Sequence, residues 1–272
     1  MPDAPPVDVP AVDAPAVDAP AVEVELIPVL RDNYVFVIHN GRQALVVDPA
    51  VAAPVAHWLE QRGLTPVAVL QTHHHQDHIG GTPGLLERWP ALVVLAAAEE
   101  RQRIPFQTDG LVDGDRRQLL GREVEVLAVP GHTRGHLAFY LPPLADGAGE
   151  LFCGDALFVG GCGRLFEGTP EQMLASLRRL AALPPATRVW CAHEYTEANL
   201  RWAAACCPHD GAIGERLRQV RRQRAAAQPT LPSTIGQERA TNLFVRADDA
   251  AELARLRRHK DDWVPVSPGP AD

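Results

Sequence analysis

One short segment, QTHHHQDHIGG, restricts the fold and chemistry of this 272-residue chain more than any other. It follows the apolar run VAVL and places four of the eleven histidines and one carboxylate within six residues. In an extended segment the side chains of His73, His75 and Asp77 point to one side, which is the arrangement for binding one metal ion. A turn at Asp77 and His78 would bring His78 to a second metal ion beside the first. Neutral imidazole and carboxylate are ligands of zinc, iron and manganese. A solvated histidine-rich loop or a structural site is the alternative, but the HxHxDH spacing after a strand favours metal binding.

Three further residues of metal-ligand type directly follow predicted strands. His132 comes after EVEVLAVP, Asp155 after ELFCG and His193 after RVW. Because loops at strand ends gather into shared sites, we expect these residues to complete the ligand set. Taken singly, each residue has a simpler interpretation: His132 as a turn residue, Asp155 as a helix cap and His193 as a residue near a helix N-terminus. His74 is expected to have no role, and the remaining histidines are expected to be surface or packing residues: His39, His57, His136, His209 and His259.

The distribution of β-rich runs predicts an α/β domain followed by helices. Strands are expected in VEVELIPVL, YVFVIH, ALVVDP, VAVLQT, LVVL, EVEVLAVP, LAFYL, ELFCG and RVWCA, with helices near residues 52–62 and 170–182. Beyond His193 the sequence predicts helices at about 194–206, 212–227 and 248–259. Pro229 and Pro232 interrupt this region, and Ser233 with Gly236 indicates a turn.

The N-terminal segment differs from the rest in composition. Apart from Met1, residues 1–22 contain only Ala, Pro, Val and Asp in an AVDAP repeat, which predicts a disordered or extended tail. The expected units are therefore the tail 1–22, a catalytic domain 23–193 and a helical domain 194–272. Five acids lie in residues 1–23, so the formal charge of −8 becomes −3 without them. A nearly balanced folded part argues against a nucleic-acid partner but permits a local cationic pocket; the basic run RLRQVRRQR is interpreted as a solvated helix face.

Composition also limits the cellular setting. The longest uncharged apolar run, from Ala91 to Ala98, is far shorter than the ~20 residues that cross a bilayer, and the first basic residue is Arg31, which does not match a secretory signal. We expect a cytoplasmic protein without a membrane partner. The five cysteines form no CxxC pair, which predicts free thiols.

The segments THHHQDHIGG, PGHTRGH, CGDALFVGGCGR and HEYT together resemble the metallo-β-lactamase superfamily and, within it, the glyoxalase II (hydroxyacylglutathione hydrolase) family, over residues 24–263 or so. The resemblance implies an αββα sandwich followed by a small all-helical C-terminal domain. It also implies two divalent metal ions, zinc first, with iron or manganese as alternatives. The implied ligands are His73, His75 and His132 for one ion, Asp77, His78 and His193 for the other, and Asp155 as the bridge between them.

The activity implied by this resemblance is thioester hydrolysis. The substrate would be an S-(2-hydroxyacyl)glutathione such as S-D-lactoylglutathione, and the products glutathione and D-lactate, in the second step of methylglyoxal detoxification. Two ions can lower the pKa of a shared water to roughly 7, which supplies hydroxide at neutral pH. Asp77 and Asp155 would be the catalytic carboxylates beside that hydroxide. The protein is expected to be a monomer.

Substrate contacts come from the same resemblance. Arg164 stands where the family commonly has lysine, and Phe166 stands where it commonly has tyrosine, so the charge is kept and a hydroxyl donor is lost. The segment LRRHKDDW is similar to the family's RRxKDxF and implies that Arg257 and Lys260 bind the glycine carboxylate of glutathione, while Tyr195 would contact its peptide backbone. An exposed helix end explains Lys260 equally simply, and an aromatic at the domain boundary explains Tyr195.

Two other classes of function compete with this interpretation. One is a different hydrolase or an oxygenase of the superfamily, such as a persulfide dioxygenase with a single iron, a lactonase or a β-lactamase. The other is a non-enzymatic metal-binding protein. Metal stoichiometry separates a one-ion dioxygenase from a two-ion hydrolase, and all seven ligand positions of the two-ion set are present.

Overall fold

The computed structural model describes residues 21–144 and 147–264. The AVDAP segment predicted to be a tail therefore lies outside the described residues except for its last two. Over the described ranges, no helix combines the length and the apolar character that a membrane crossing requires. All five cysteines are free thiols, as predicted.

Two six-stranded sheets form the centre of the fold. The first sheet consists of β1 (Glu23–Val29), β2 (Asn33–His39), β3 (Gln43–Val47), β4 (Thr65–Leu70), β5 (Val93–Ala97) and β6 (Asp109–Leu111), in that spatial order. Its first three strands are antiparallel, and the strands from β3 to β6 are parallel. The parallel strands end at the same edge, which is where the histidine-rich segment leaves β4.

The second sheet is mostly antiparallel. It contains β7 (Arg116–Leu119), β8 (Arg122–Ala128), β9 (Leu137–Leu141) and β10 (Glu150–Gly154). After β10 the chain forms a separate two-stranded hairpin of β11 (Leu157–Phe158) and β12 (Gly161–Cys162). Two more strands, β13 (Arg188–Cys191) and β14 (Ser233–Thr234), complete the sheet beside β10. Only the pairing of β10 with β13 is parallel.

Eight helices accompany the sheets in the described residues. They are α1 (Ala52–Gln61), α2 (Gln76–Ile79), α3 (Thr82–Arg88), α4 (Pro170–Ala181), α5 (Thr196–Cys206), α6 (Gly211–Ala225), α7 (Ile235–Thr241) and α8 (Ala250–Asp261). The start of α4 follows from its sequence: the Thr169 hydroxyl accepts the Gln172 N–H, the Thr169 N–H donates to the side-chain oxygen of Gln172, and Pro170 occupies the first turn.

The two sheets pack face to face, with helices outside. Phe36 of the first sheet and Phe152 of the second are both fully buried, with ring centroids 5.6 Å apart. On the other face of β2, Val35 and Val37 belong to a separate core with Val55 and other residues of α1 and α3. Because successive side chains of β2 point to opposite faces of the sheet, this strand contributes both to the core between the two sheets and to the core under the helices. The αββα sandwich implied by the resemblance is confirmed.

The C-terminal segment is helical except for β14, which pairs with β13. The predicted turn at Ser233 and Gly236 is wrong, because Ser233 lies in β14 and Gly236 in α7. The hydroxyl of Thr234 accepts the Gln237 N–H and begins the helix directly after the strand. The basic run on α6 is only partly solvated, since Arg216 is buried while Arg218 is exposed. The C-terminal segment therefore contributes a strand to the second sheet.

Candidate metal centre

Three histidines converge beyond the end of β4. The chain bends at Thr72, is extended again at His75 and then enters α2. The Nδ1 atom of His75 lies 3.0 Å from Nε2 of His73 and 3.1 Å from Nε2 of His132, which arrives from the loop before β9. Ligand atoms about 2.1 Å from a zinc ion in a tetrahedron lie about 3.4 Å apart. These three nitrogens therefore have the spacing of one metal half-site.

A second group lies beside the first. It consists of Asp77 and His78, both on α2, and His193, which follows β13. Oδ2 of Asp77 is 3.5 Å from Nε2 of His193 and 3.9 Å from Nε2 of His78. The helical turn over Gln76–Ile79 brings Asp77 and His78 to the second group, and the ring of His78 still lies against that of His73, with centroids 4.0 Å apart. One short segment therefore supplies both groups.

The carboxylate of Asp155 lies between the two groups. Its Oδ2 atom is 3.5 Å from Nε2 of His132, whereas its Oδ1 atom is 3.3 Å from Nε2 of His193 and 3.5 Å from Nε2 of His78. Each oxygen thus faces a different histidine group. This is the arrangement that a carboxylate bridging two cations requires.

The donor set fits divalent cations. Nε2 of His78 and Oδ1 of Asp155 are buried without a hydrogen-bond partner among the described residues. Buried polar atoms without partners cost free energy, and these two face a common point. Imidazole nitrogens and carboxylate oxygens at that point are ligands for zinc, iron or manganese. The residues that the sequence nominated as ligands are therefore all brought together, and we propose them as the ligands of two ions.

Electrostatics favour the ligand forms of the three-histidine group and of Asp155. Burial and the neighbouring His78 hold the pKa of His73 well below its ordinary value, and burial together with His132 lowers the pKa of His75 to about 4. Both rings are therefore neutral at pH 7. Burial alone would disfavour the ionised form of Asp155, but His78 and His193 hold the pKa of its carboxyl well below its usual range. The three-histidine group therefore combines neutral imidazoles with an ionised carboxylate, whereas Asp155 raises the pKa of His78 and of His193 against the effect of burial.

Residues behind the ligands hold them in orientation, and sequence reasoning missed them. Asp48 Oδ2 lies 2.9 Å from Nδ1 of His78, and Asp32 Oδ1 lies 3.0 Å from Nδ1 of His193. The side-chain amide of Asn33 donates to Asp77 Oδ2 at 3.0 Å. Such contacts fix the tautomer and direction of a ligand. Asp48 directly follows a strand, as Asp155 does, so the same signal could have found it.

His136 was expected to be a surface or packing residue, and the structure places it beside the site. Its ring is fully buried and stacks on His73 with centroids 4.6 Å apart. Its Nε2 atom accepts the N–H of Asp155 at 3.1 Å. His136 is therefore a packing residue and not a surface residue. It also fixes the backbone of Asp155, which carries the carboxylate between the two groups. The other four histidines of that group do not contact the ligands.

A cleft of about 400 Å³ opens beside His132 and Asp155 and extends to α8. Its lining includes the four residues that the resemblance nominated for substrate: Arg164, Tyr195, Arg257 and Lys260. Phe158 and Asn199 also line it and were not foreseen. The ring of Tyr195 stacks on His193 with centroids 4.7 Å apart, and 36% of the residue is exposed.

The three cations of the cleft differ in exposure. Arg257 is 6% exposed, and its guanidinium donates to the carbonyl of Cys162 at 2.8 Å and to Asp261 at 2.9 Å. The Nε atom of Arg257 is buried without a hydrogen-bond partner among the described residues and keeps a free donor. Arg164 is exposed and lies 3.3 Å from Asp261, and burial lowers the pKa of Lys260 to about 8. All three cations therefore keep donors for an anionic ligand.

The fold and this double ligand group define a protein of the metallo-β-lactamase class. A family model described as the metallo-beta-lactamase superfamily matches residues 29–193, and a second, described as the hydroxyacylglutathione hydrolase C-terminus, matches residues 194–263. Curated relatives of the chain are hydroxyacylglutathione hydrolases as well. The hydroxyacylglutathione hydrolase of Synechococcus sp. (strain CC9605) is 57% identical over 242 residues, covering 88% of this chain and 97% of its own. The chain belongs to the hydroxyacylglutathione hydrolase family.

Other relatives extend the comparison. The hydroxyacylglutathione hydrolase of Cyanothece sp. (strain PCC 7425 / ATCC 29141) is 52% identical over 254 residues, which is 88% of this chain and 99% of the relative. Among solved structures, ETHE1 from Myxococcus xanthus matches with a TM-score of 0.65 and 25% identity over 89% of this chain and 93% of that one. The di-iron-bound form of TTHA1623 matches with a TM-score of 0.57 and 28% identity, covering 82% of this chain and all of the other.

Proposed function

We propose that the chain hydrolyses the thioester of S-(2-hydroxyacyl)glutathione, such as S-D-lactoylglutathione, to glutathione and a 2-hydroxy acid such as D-lactate. This reaction is the second step of methylglyoxal detoxification. The observation that carries the proposal is the juxtaposition of a double ligand group, bridged by Asp155, with a cleft that leads to the cations of α8. A tripeptide thiol ester fits a site with a hydrolytic centre at one end and a carboxylate-binding cation at the other.

The proposed cofactor is a pair of divalent metal ions, zinc first, with iron or manganese as alternatives. The di-iron form of a structure 28% identical to this chain supports a two-ion site. When bound, such ions supply hydroxide at neutral pH and polarise a carbonyl oxygen. His73, His75 and His132 would hold one ion, Asp77, His78 and His193 the other, and Asp155 would contact both.

Two carboxylates would act at the reacting atoms. The Asp77 side chain is 42% exposed, and one of its oxygens is fixed by Asn33. It is therefore placed to orient the attacking water and accept its hydrogen bond. Asp155 is buried, with its N–H held by His136, so it would keep the two ligand groups at a constant separation.

The cleft would bind the glutathione portion. We propose that Lys260 binds the glycine carboxylate, that Arg164 supplies a second cation at the rim and that Tyr195 contacts the peptide backbone. We propose that Arg257, which also fixes the Cys162 carbonyl and Asp261, binds the same glycine carboxylate. Phe166, 62% exposed at the rim, places an apolar ring beside His132, with centroids 5.2 Å apart, and offers no hydroxyl.

The test is hydrolysis measured together with metal content. Protein purified with its native metals is mixed with S-D-lactoylglutathione, loss of the thioester ultraviolet band is followed, and metals are counted per chain on the same sample. Fast hydrolysis with about two ions per chain is expected. Absence of hydrolysis with a single iron per chain would overturn the proposal in favour of a persulfide dioxygenase. Absence of both thioesterase and oxygenase activity in metal-replete protein would indicate a metal-binding protein without catalysis.

We propose in addition that the protein acts as a cytoplasmic monomer without a nucleic-acid or membrane partner. The charge balance outside the N-terminal repeat supports this proposal. Size-exclusion chromatography with light scattering measures the oligomeric state, and a dimer mass would contradict the monomer.

A further inference from the structure

An ion-pair cluster lies directly behind the three-histidine group. It consists of His74, Glu100, Arg103 and Glu167, none of which is a ligand. Glu100 is 1% exposed and ends a short turn after β5. One terminal nitrogen of Arg103 donates to Glu100 and the other donates to Glu167. A guanidinium shared by two carboxylates has a fixed position, because both of its terminal nitrogens are engaged.

The two carboxylates belong to different parts of the chain, and each contacts the loop that carries His132. The N–H of Glu167 donates to the carbonyl of His132 at 3.3 Å, and its Oε2 atom accepts the N–H of Arg134 at 2.9 Å. Glu100 packs under Gly135, where a Cβ atom would lie 2.2 Å from Glu100 Oε1. Arg103 therefore holds two supports of the 131–135 loop together.

The same guanidinium also reaches the other histidine segment. One terminal nitrogen of Arg103 lies 3.3 Å from Nε2 of His74, and Nδ1 of His74 lies 3.3 Å from Glu100 Oε2. His74 stands between His73 and His75 in the chain, so its ring position sets the path of the backbone that carries both ligands. The cluster therefore connects the segment of His73 and His75 to the loop of His132.

We propose that Arg103 is a positioning residue for the three-histidine half-site, where it holds the 73–75 segment and the 131–135 loop at the separation that one metal ion requires. The spacings that it would maintain are the 3.0 and 3.1 Å contacts of His75 Nδ1 with the nitrogens of His73 and His132. Removing the guanidinium would leave Glu100 as a buried charge without its cation, and the two loops would separate. The Asp77–His78–His193 group makes no contact with the cluster.

The experiment compares Arg103→Met and Arg103→Lys with the unaltered protein. Each protein is loaded with zinc, and retention is measured by competition with a chelator. For Arg103→Met we expect about 10- to 100-fold weaker binding of one of the two ions and unchanged binding of the other. Arg103→Lys keeps the charge but cannot bridge two carboxylates, so an intermediate loss is expected. Glu167→Gln, which leaves the buried Glu100–Arg103 pair in place, provides a second test if Arg103→Met does not fold.

A matched control is Arg88→Met, which removes an arginine that pairs with Glu60 on the helices outside the first sheet. It should retain both ions with unaltered affinity. Unchanged affinity for both ions in the Arg103 variants, with only a lower Tm, would overturn the proposal and leave a structural role. Equal weakening of both ions would overturn it as well, because the effect would not be confined to one half-site.

Kinetics give a second readout, and only this readout rests on the proposed function. Arg103→Met should lower kcat for S-D-lactoylglutathione while KM stays the same, since the cleft cations are unaltered. A wild-type protein that binds two ions but does not hydrolyse the thioester would refute the proposed function. The chelator competition would still decide the role of Arg103 in that case.

Discussion

Oδ2 of Asp48 lies 2.9 Å from Nδ1 of His78, and this contact directs Nε2 of the same ring toward Asp77 and Asp155. Asp48 directly follows β3 and has a left-handed backbone (φ 49°). Its carboxylate also accepts the N–H of Thr72 at 2.8 Å and the hydroxyl of Thr72 at 2.6 Å. These bonds offset the cost of that conformation. One buried carboxylate thus connects the end of β3 to both the start of the histidine segment and its last ligand.

Replacing Asp48 should weaken one half-site selectively. In Asp48→Asn the shape is kept, but the charge that holds the His78 ring is lost, so the ion at Asp77, His78 and His193 should bind about 10- to 100-fold more weakly. Chelator competition with the zinc-loaded variant measures this loss. Asp113→Asn is the control, because Asp113 also accepts a backbone N–H, from Ala128 at 2.8 Å, but outside the site. Equal zinc affinity in the two variants would contradict a role for Asp48.

Asp77→Asn should separate catalysis from folding. The amide keeps the size of the side chain but loses the charge that would orient the attacking water, so turnover should fall by about 100-fold or more. The Tm should change little, because the carboxylate is partly exposed and the Asn33 amide, its side-chain hydrogen-bond donor, can still bond to the amide oxygen of Asn. Initial rates with S-D-lactoylglutathione and a thermal melt on the same sample make the comparison. Turnover equal to that of the unaltered protein would refute the catalytic role.

Long elements and the residues that we propose as ligands could be predicted because each has a local signal. Apolar runs predicted β2, β4, β8 and β10 to within a few residues, and a ligand-type residue directly after such a run identified His132 and Asp155. The strands β6, β7 and β14 were not predicted, since two to four residues carry no periodicity. Short strands of this kind depend on partners that are distant in sequence.

Residues that support the ligands were the harder part of the site. His136 precedes β9 instead of following a strand, and Asp32 lies 161 positions from its partner His193. The pair of Arg103 with Glu167 joins two loops that are 64 positions apart. No spacing in the chain records such contacts, because they depend on how the loops meet after both sheets have formed.

The seam between the C-terminal segment and the catalytic part should depend on Glu238. This carboxylate is buried in α7 and accepts the Gly160 N–H at 2.8 Å, the Asn242 amide at 3.0 Å and the Ser233 hydroxyl at 2.5 Å. Glu238→Ala removes the shared acceptor and leaves buried donors unpaired, so the free energy of unfolding should fall by about 2–4 kcal/mol. Urea denaturation measures it.

Glu238→Gln tests whether shape or charge matters at this seam. The Gln amide keeps one acceptor oxygen, but its NH2 group faces groups that are themselves hydrogen-bond donors. An intermediate loss of stability is therefore expected. Glu215→Ala, at an exposed position on α6, should leave the urea midpoint unchanged. Similar midpoints for Glu238→Ala and Glu215→Ala would show that the buried hydrogen bonds contribute nothing measurable.

The proposed role of Lys260 predicts a pH dependence of KM. Because burial lowers the pKa of this ammonium to about 8, the group is charged below that pH and loses its proton above it. A glutathione carboxylate gains from the charged form only, so KM for S-D-lactoylglutathione should be constant below pH 8 and should rise above it. Lys260→Arg stays charged and should show a flat KM from about pH 7 to about pH 9.5.

Removal of the charge completes this test. A hydrogen bond between charged groups contributes about 1.5–3 kcal/mol, so Lys260→Met should raise KM at pH 7 by about 10- to 100-fold, with no further rise at higher pH. Arg258→Met, which removes an exposed cation from the same helix outside the cleft lining, should leave KM as it is. Since Lys260 is the one lysine of the chain, acylation of the lysine side chain should reproduce the Met variant, and substrate present during the reaction should protect against it. A wild-type KM that is the same at pH 7 and above pH 9 would place the glycine carboxylate away from Lys260.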